Sequence, residues 1–230
     1  MDVVIPYRHS NHNGLELRYT LRGIEKFFTD LENIFIIGDL PEFVQNTIHI
    51  PATDSPERHH KARNIFYKLM DACEDKRVSD SFAWFSDDVF LLQPYQVTYN
   101  YNSTLQESIA GLTIHQSYRN TLINTHNILS DGYAYGHYPM VFEKEKLARS
   151  VGGLHWNLAW GYSIKSVYCN YNGLTGDRHP DVKIKVPCTE NYIRTLITDK
   201  PYFSIDDRGL CDEMISILNS LFPDKSHFEV

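Results

Sequence analysis

Two adjacent carboxylates, Asp87 and Asp88, follow the apolar residues 82–85 after a single serine, Ser86, and precede a second apolar run, residues 89–92. The first run predicts a buried strand, so both carboxylates are expected where that strand ends. A few carboxylate oxygens suit Mg²⁺ or Mn²⁺ shared with a diphosphate. We therefore expect Asp88 to bind the metal and Asp87 to support it or to contact the ligand. An exposed acidic turn is the alternative interpretation.

A cluster of cations and amides at residues 58–64 includes Lys61, Arg63 and Asn64 and begins a predicted helix. Helix N-termini bind anions through unpaired N–H groups, and Lys and Arg add donors for a phosphate. The segment predicts a clamp for a nucleotide diphosphate, with an ordinary solvated helix start as the alternative. Arg8 and Asp39 follow the first and second predicted strands and are expected to frame the same nucleotide.

Candidates for proton transfer lie later in the chain. His137 stands two residues before a proline in a predicted loop, and a histidine has a pKa suited to proton transfer. A hydrogen-bonded structural imidazole is the alternative. Asp207 follows the last predicted strand and could return a second acidic group to the site, or a carboxylate there could cap the last helix. The 11 histidines match no recognised zinc-ligand spacing, which argues against zinc.

The elements that must position these residues follow from apolar periodicity. Strands are predicted over residues 2–6, 33–37, 47–50, 82–85, 89–92 and 202–205, and helices over residues 16–28, 62–75 and 209–222. Residues 95–138 are polar and aromatic and predict loops and short strands. The alternation predicts an α/β fold with a mostly parallel central sheet flanked by helices, in which ligands bind beyond the carboxyl ends of the strands.

The composition narrows the class of protein. The 230 residues are 42% apolar and 22% charged, which predicts one globular domain. A net charge of −7 argues against general nucleic-acid binding. No secretion signal is recognised, and no run of about 18 apolar residues predicts a membrane span. The four cysteines form no C-x-x-C pair and predict reduced thiols in a cytoplasmic protein.

Several segments carry a family resemblance. Residues 16–26, 33–37 and 82–92 (FAWFSDDVFLL) resemble the central region of the Stealth family of capsular polysaccharide and lysosomal-tag sugar-1-phosphate transferases. Residues 203–207 and 221–229 resemble the last region of that family, and residues 136–139 resemble its His-x-Pro element. Residues 60–64 resemble instead the corresponding helix of ordinary GT-A glycosyltransferases.

The resemblance implies a GT-A-like nucleotide-diphospho-sugar transferase fold, a nucleotide-sugar donor, a divalent cation at Asp87 and Asp88, and active-site roles for His137 and Asp207. We expect residues 1–94 to bind the donor and residues 95–230 to receive the acceptor within a single domain. The expected function is metal-dependent transfer of a sugar to a glycan or another hydroxyl acceptor. Stealth-type sugar-1-phosphate transfer and non-catalytic binding of a carbohydrate or nucleotide are the alternatives.

Overall fold

The computed structural model describes residues 1–10, 12–113 and 116–230. The strands are β1 Asp2–Tyr7, β2 Ile34–Gly38, β3 Ile48–Pro51, β4 Ser81–Trp84, β5 Val89–Leu91, β6 Ser103–Thr104, β7 Tyr133–Ala134, β8 Met140–Glu143, β9 Lys183–Ile184 and β10 Tyr202–Ile205. The helices are α1 Leu15–Phe27, α2 Lys61–Glu74, α3 Leu105–Ala110, α4 Ser117–Leu129, α5 Lys144–Val151, α6 Ile164–Tyr171, α7 Glu190–Ile197 and α8 Asp212–Leu221.

The chain forms two compact units, each assembled from separate stretches of sequence. The first unit comprises Met1–Pro51, Phe85–Gln96 and Asp181–Val230. The second unit comprises Ala52–Trp84 and Val97–Pro180. The sequence-based division into a donor half and an acceptor half near residue 95 stays a prediction.

A parallel sheet in the order β3-β2-β1 organises the first unit. Ile5 pairs with Ile36, and Phe35 pairs with Ile48. Every residue of β1 and β2 is buried, as expected for parallel strands that are covered on both faces. The backbone N–H of Phe85 donates to the carbonyl of Val4 at 3.0 Å, so the segment that follows β4 runs beside β1. These strands confirm the predicted α/β fold and its mostly parallel sheet.

A second sheet in the first unit places β10 between β5 and β9. Strand β10 is antiparallel to β5 and parallel to β9. Phe90 and Phe203 from this sheet share one hydrophobic core with Met214, Ile217 and Leu218 of α8. The C-terminal strand and helix predicted from the sequence are therefore confirmed.

The C-terminal end of the chain is held on α1 by a buried carboxylate. The side chain of Glu229 is fully buried, and its Oε1 and Oε2 accept hydrogen bonds from Nε and Nη2 of Arg22 at 2.7 and 2.9 Å. Arg18 Nη1 and the backbone N–H of Ser226 add bonds of 3.2 and 3.0 Å. A buried charge requires such complete pairing. This contact joins two of the segments that resemble the Stealth family.

The second unit contains the antiparallel pairs β4·β8 and β6·β7. Here the structure differs from the sequence-based expectation, because α3 and α4 form where loops and short strands were predicted. Helix α3 begins with a capping box, in which the Thr104 hydroxyl and the Glu107 carboxylate bond each other's backbone N–H groups. Helix α4 buries only a few side chains, Leu122 among them, so its apolar period is too weak to identify from the sequence.

Candidate functional site

Acidic side chains gather at the carboxyl ends of the parallel strands of the first unit. Strand β1 ends at Tyr7, β2 ends just before Asp39, and the segment beside β1 continues into Asp87 and Asp88. The Asp39 Oδ2 accepts the backbone N–H of His9 at 2.8 Å, which holds the loop after β1 against the end of β2. These acidic residues therefore lie at the carboxyl edge of the sheet, where the sequence predicts them.

Asp87 lies in an environment that opposes its negative charge. Burial raises the pKa of its carboxyl, and the charges of Asp88 and Glu16 raise it further. Glu16 is itself buried in the first turn of α1, where its Oε2 accepts a hydrogen bond from Ser10 Oγ at 3.2 Å. The hydroxyl of Thr20 donates to the backbone carbonyl of Asp87 at 2.8 Å and fixes the turn. The carboxylates of Asp87, Asp88 and Glu16 therefore lie together with too little positive charge nearby to balance their negative charge.

Asp88 has one satisfied and one unsatisfied oxygen. Its Oδ2 is paired with Nζ of Lys183 at 2.9 Å, and both side chains are mostly buried. Its Oδ1 is also buried, and no described residue forms a hydrogen bond with it. Buried carboxylate oxygens without a partner are uncommon because their desolvation is costly.

The same carboxylates also affect the pKa of Tyr7. The pKa of its phenol is raised to about 12, mainly by burial and next by the charge of Asp87, with smaller contributions from Glu16 and Asp39. Hard oxygen donors, mutual repulsion and the unpartnered Oδ1 of Asp88 together fit a divalent cation such as Mg²⁺ or Mn²⁺. The residues present are therefore compatible with the metal that the sequence predicts.

Asp207 and Arg8 lie in the same unit, and both are exposed. A ring nitrogen of His12 donates to the backbone carbonyl of Asp207 at 3.1 Å, so this loop is tied to the loop after β1. The N-cap position of α8 is Cys211, and Asp206 Oδ1 instead accepts the N–H groups of the turn that follows it. The Asp207 carboxylate is not used as a helix cap, and its catalytic role stays a prediction.

The basic segment predicted to clamp a nucleotide lies at the start of α2 in the second unit. The amide of Asn64 is engaged at both ends, since Oδ1 accepts the Ser55 N–H at 3.2 Å and Nδ2 donates to the Ser55 carbonyl at 2.9 Å. Arg63 Nη2 lies 2.7 Å from Nδ1 of His60, and Lys61 is exposed. Asn64 thus fixes the loop before α2, while donor contacts by Lys61, Arg63 and Asn64 stay predictions.

His137 is exposed in the loop before β8, also in the second unit. Its neighbours fix that loop, because Nζ of Lys165 donates to the backbone carbonyls of Gly136, at 3.3 Å, and Tyr138. Tyr138 itself is buried. The imidazole of His137 is therefore exposed on a loop whose backbone carbonyls accept hydrogen bonds from Lys165. The role of His137 in proton transfer stays a prediction.

The structure shows three further sets of charged or metal-binding side chains that the sequence analysis does not identify as site residues. From the sequence, Glu16 is assigned only to a helix, although an acidic residue in the first turn of a helix that follows a strand end is a usable signal. Lys183 carried no signal, because its partner Asp88 is 95 residues away. Glu57, His59 and His60 bring potential metal-ligand atoms within 4.8 Å of one another in the second unit, although their spacing matches no standard motif.

Comparisons with known proteins establish the fold. The galactosyltransferase LgtC, solved in complex with donor and acceptor sugar analogs, matches with a TM-score of 0.50 and 9% identity over 99% of this chain and 98% of that chain. An active-site mutant of LgtC matches with a TM-score of 0.51 and 11% identity over the same shares. The predicted GT-A-like fold is confirmed.

One sequence relative supports the Stealth resemblance. A capsular polysaccharide phosphotransferase of Neisseria meningitidis serogroup B is 32% identical in an alignment 103 residues long that covers 39% of this chain. The alignment spans 26% of that protein, so the match covers about a quarter of its length. No protein-family model matches the chain. None of the helices in the described part of the chain has the length and apolar character needed to cross a bilayer.

Proposed function

We propose that this chain is a metal-dependent transferase that uses a nucleotide-sugar donor. The observation that carries the proposal is the cluster of carboxylates at the carboxyl ends of the parallel strands. Among the described residues, Asp88 Oδ1 is buried without a hydrogen-bond partner, and the pKa of Asp87 is raised by burial and by neighbouring charges. Asp88 and Asp87 would hold Mg²⁺ or Mn²⁺, which when bound neutralises the diphosphate of the donor. The GT-A-like fold and the phosphotransferase relative support a sugar nucleotide as the ligand.

The remaining predicted residues receive roles that fit their surroundings. Arg8 and Asp39 frame the nucleotide at the strand ends, and Lys61, Arg63 and Asn64 belong to the basic segment that binds it. His137 or Asp207 removes the proton of the acceptor hydroxyl or stabilises the charge of the departing group. The acceptor is a glycan or another hydroxyl compound, and the cytoplasmic location expected from the sequence stays a prediction.

The favoured reaction is glycosyl transfer. The acceptor oxygen attacks C1 of the donor sugar, the bond from C1 to the diphosphate oxygen breaks, and a nucleoside diphosphate leaves while the acceptor proton passes to the base. The phosphotransferase relative favours a second candidate. In that reaction the acceptor attacks the β-phosphorus, the phosphoanhydride bond breaks, and a nucleoside monophosphate leaves as the sugar phosphate is transferred.

A donor labelled separately at C1 and at the β-phosphate distinguishes these possibilities. Nucleotide sugars that raise the melting temperature in the presence of Mn²⁺ identify the donor first, because a ligand that binds only the folded protein stabilises it. Glycosyl transfer places the C1 label alone in the product, whereas sugar-1-phosphate transfer places both labels there. If the protein binds the donor but forms no product with any acceptor of a broad panel, both transfer reactions are excluded and the protein has a binding function only.

A further inference from the structure

A cluster of metal-binding side chains precedes α2 in the second unit, apart from the carboxylates already described. Oε2 of Glu57 lies 2.9 Å from Nε2 of His59 and 3.8 Å from Nε2 of His60. One potential ligand atom from each of the three residues lies within 4.8 Å of those of the other two. We propose that Glu57, His59 and His60, here called the Glu57 cluster, form a binding site for Zn²⁺ or a similar borderline transition metal.

The spacing of the ligand atoms fits a tetrahedral ion. Zinc bonds to imidazole nitrogen and carboxylate oxygen of about 2.0–2.1 Å place tetrahedral ligand atoms about 3.3 Å apart. The two distances from Glu57 Oε2, 2.9 and 3.8 Å, lie on either side of that value. Contraction of the separations in the cluster, none of which exceeds 4.8 Å, to about 3.3 Å would bring one atom from each residue into the first coordination shell and leave a fourth position for water or another ligand.

The donor set selects a different metal from the one proposed at Asp87 and Asp88. Two imidazoles and one carboxylate suit zinc and neighbouring transition metals, whereas a site made of carboxylates alone suits Mg²⁺ or Mn²⁺. The cluster uses no residue of the carboxylate site. Binding at the Glu57 cluster is therefore a separate event that can be measured without a sugar donor.

The surroundings hold the two histidines in place. Nδ1 of His60 lies 2.7 Å from the hydroxyl oxygen of Ser55, which is placed to accept the Nδ1 proton of a metal-bound imidazole and so to orient the ring. The backbone carbonyl of His59 accepts the N–H of Trp160 at 3.0 Å.

Metal binding has a consequence for Arg63. Its Nη2 donates to Nδ1 of His60 at 2.7 Å, so in the metal-free protein Nδ1 carries a lone pair. With a metal on Nε2, the proton moves to Nδ1 and is donated to Ser55, and the guanidinium loses this hydrogen bond. Metal occupancy thus releases Arg63 for an anionic ligand, a consequence that rests on the proposed function although the metal site itself does not.

Co²⁺ is the probe that tests the site, because its visible absorption reports coordination geometry. The full chain is stripped with a chelator and titrated with Co²⁺, and bound Co²⁺ is then displaced with Zn²⁺ to obtain the zinc affinity. We expect one Co²⁺ with intense tetrahedral bands, and at least a tenfold loss of Zn²⁺ affinity in both His60→Gln and Glu57→Gln. His155→Gln, which changes an exposed histidine of the same unit, is the matched control.

The outcomes separate this inference from the proposed function. Asp88→Asn should leave the tetrahedral Co²⁺ bands unchanged, because the Glu57 cluster does not include that carboxylate. A titration that produces no intense tetrahedral bands, or a Zn²⁺ affinity that is the same in His60→Gln, Glu57→Gln and the unsubstituted chain, would overturn the zinc site while leaving the transferase proposal standing. Far-ultraviolet circular dichroism of each variant verifies that the fold is retained.

Discussion

The ammonium group of Lys183 lies 2.9 Å from Oδ2 of Asp88, and this ion pair links β9 to the carboxylates at the end of the parallel sheet. The side chains of Lys183 and Asp88 are only 15% and 20% exposed, so solvent screens the pair weakly. The ammonium therefore supplies positive charge at the position where a divalent cation is proposed to bind.

Replacing Lys183 should consequently strengthen metal binding. Lys183→Met removes a positive charge next to the proposed site and should lower the Kd for Mn²⁺ about tenfold, because cation–cation repulsion at short range is worth about 1.4 kcal/mol or more. The measurement is the free Mn²⁺ signal in electron paramagnetic resonance. Lys185→Met, two residues away and exposed, is the control. An unchanged Kd in Lys183→Met would show that the ammonium does not affect the cation.

The second prediction concerns Asp88 itself. At Mn²⁺ concentrations about a hundred times the Kd, the bound ion should stabilise the protein by about 2.7 kcal/mol. Asp88→Asn removes the charged ligand, and the Mn²⁺-dependent rise in melting temperature should disappear. Asp199→Asn tests the same change at an exposed aspartate. Retention of the full rise in Asp88→Asn would place the cation elsewhere.

The third prediction concerns the buried carboxylate of Glu229. Glu229→Gln leaves the Arg22 guanidinium without its charged partner, and breaking a buried pair in this way costs about 3–5 kcal/mol. Urea unfolding at neutral pH measures the loss. Glu42→Gln, at an exposed position in the same unit, should change the free energy of unfolding by less than about 0.5 kcal/mol.

The same pair predicts how stability depends on pH. Burial acts to raise the pKa of Glu229, but the hydrogen bonds from Arg22 and Ser226 outweigh it and leave the pKa below its usual value. A carboxyl with a lowered pKa in the folded state contributes stability above its unfolded pKa and loses it as the pH falls through the folded value. The difference between the unsubstituted chain and Glu229→Gln should therefore shrink in acid. A difference that stays constant down to strongly acidic pH would contradict this account.

The fifth prediction uses two glycines with positive φ. Gly14 has φ of 72°, and a Cβ there would lie 2.8 Å from the Tyr7 hydroxyl and 2.9 Å from Phe43. Gly153 has φ of 80°, and a Cβ there would meet no atom of residues 1–10, 12–113 or 116–230 within 4 Å. Gly153→Ala should cost about 1–2 kcal/mol for the left-handed backbone alone. Gly14→Ala should cost at least about 1 kcal/mol more, because it adds overpacking beside the carboxylate site.

Chemical denaturation of both variants measures this difference. Equal losses of stability in Gly14→Ala and Gly153→Ala would mean that the ring of Phe43 and the hydroxyl of Tyr7 move aside without cost. A larger loss in Gly14→Ala would support a tightly packed turn between β1 and α1. That turn leads into Glu16, one of the carboxylates near Asp87.

Much of the first unit could be predicted from the sequence because its parallel strands are buried on both faces. Such strands consist of uninterrupted apolar runs, as in β1 and β2, and their ends are marked by turn residues. The position of Asp87 and Asp88 at a strand end follows from the same pattern. Helices α3 and α4 could not be predicted in this way, since each buries too few apolar side chains to produce a period.

By itself, the sequence predicted strands β1 to β5 and β10, helices α1, α2 and α8, and the acidic pair, because each depends on residues that are neighbours along the chain. The tertiary structure alone decided which charges face that pair. Lys183 reaches Asp88 only because β9 pairs with β10, and Glu16 approaches Asp87 only through the placement of α1. Electrostatic interactions depend on distance in space, and no local pattern in the chain encodes a contact between residues 95 positions apart.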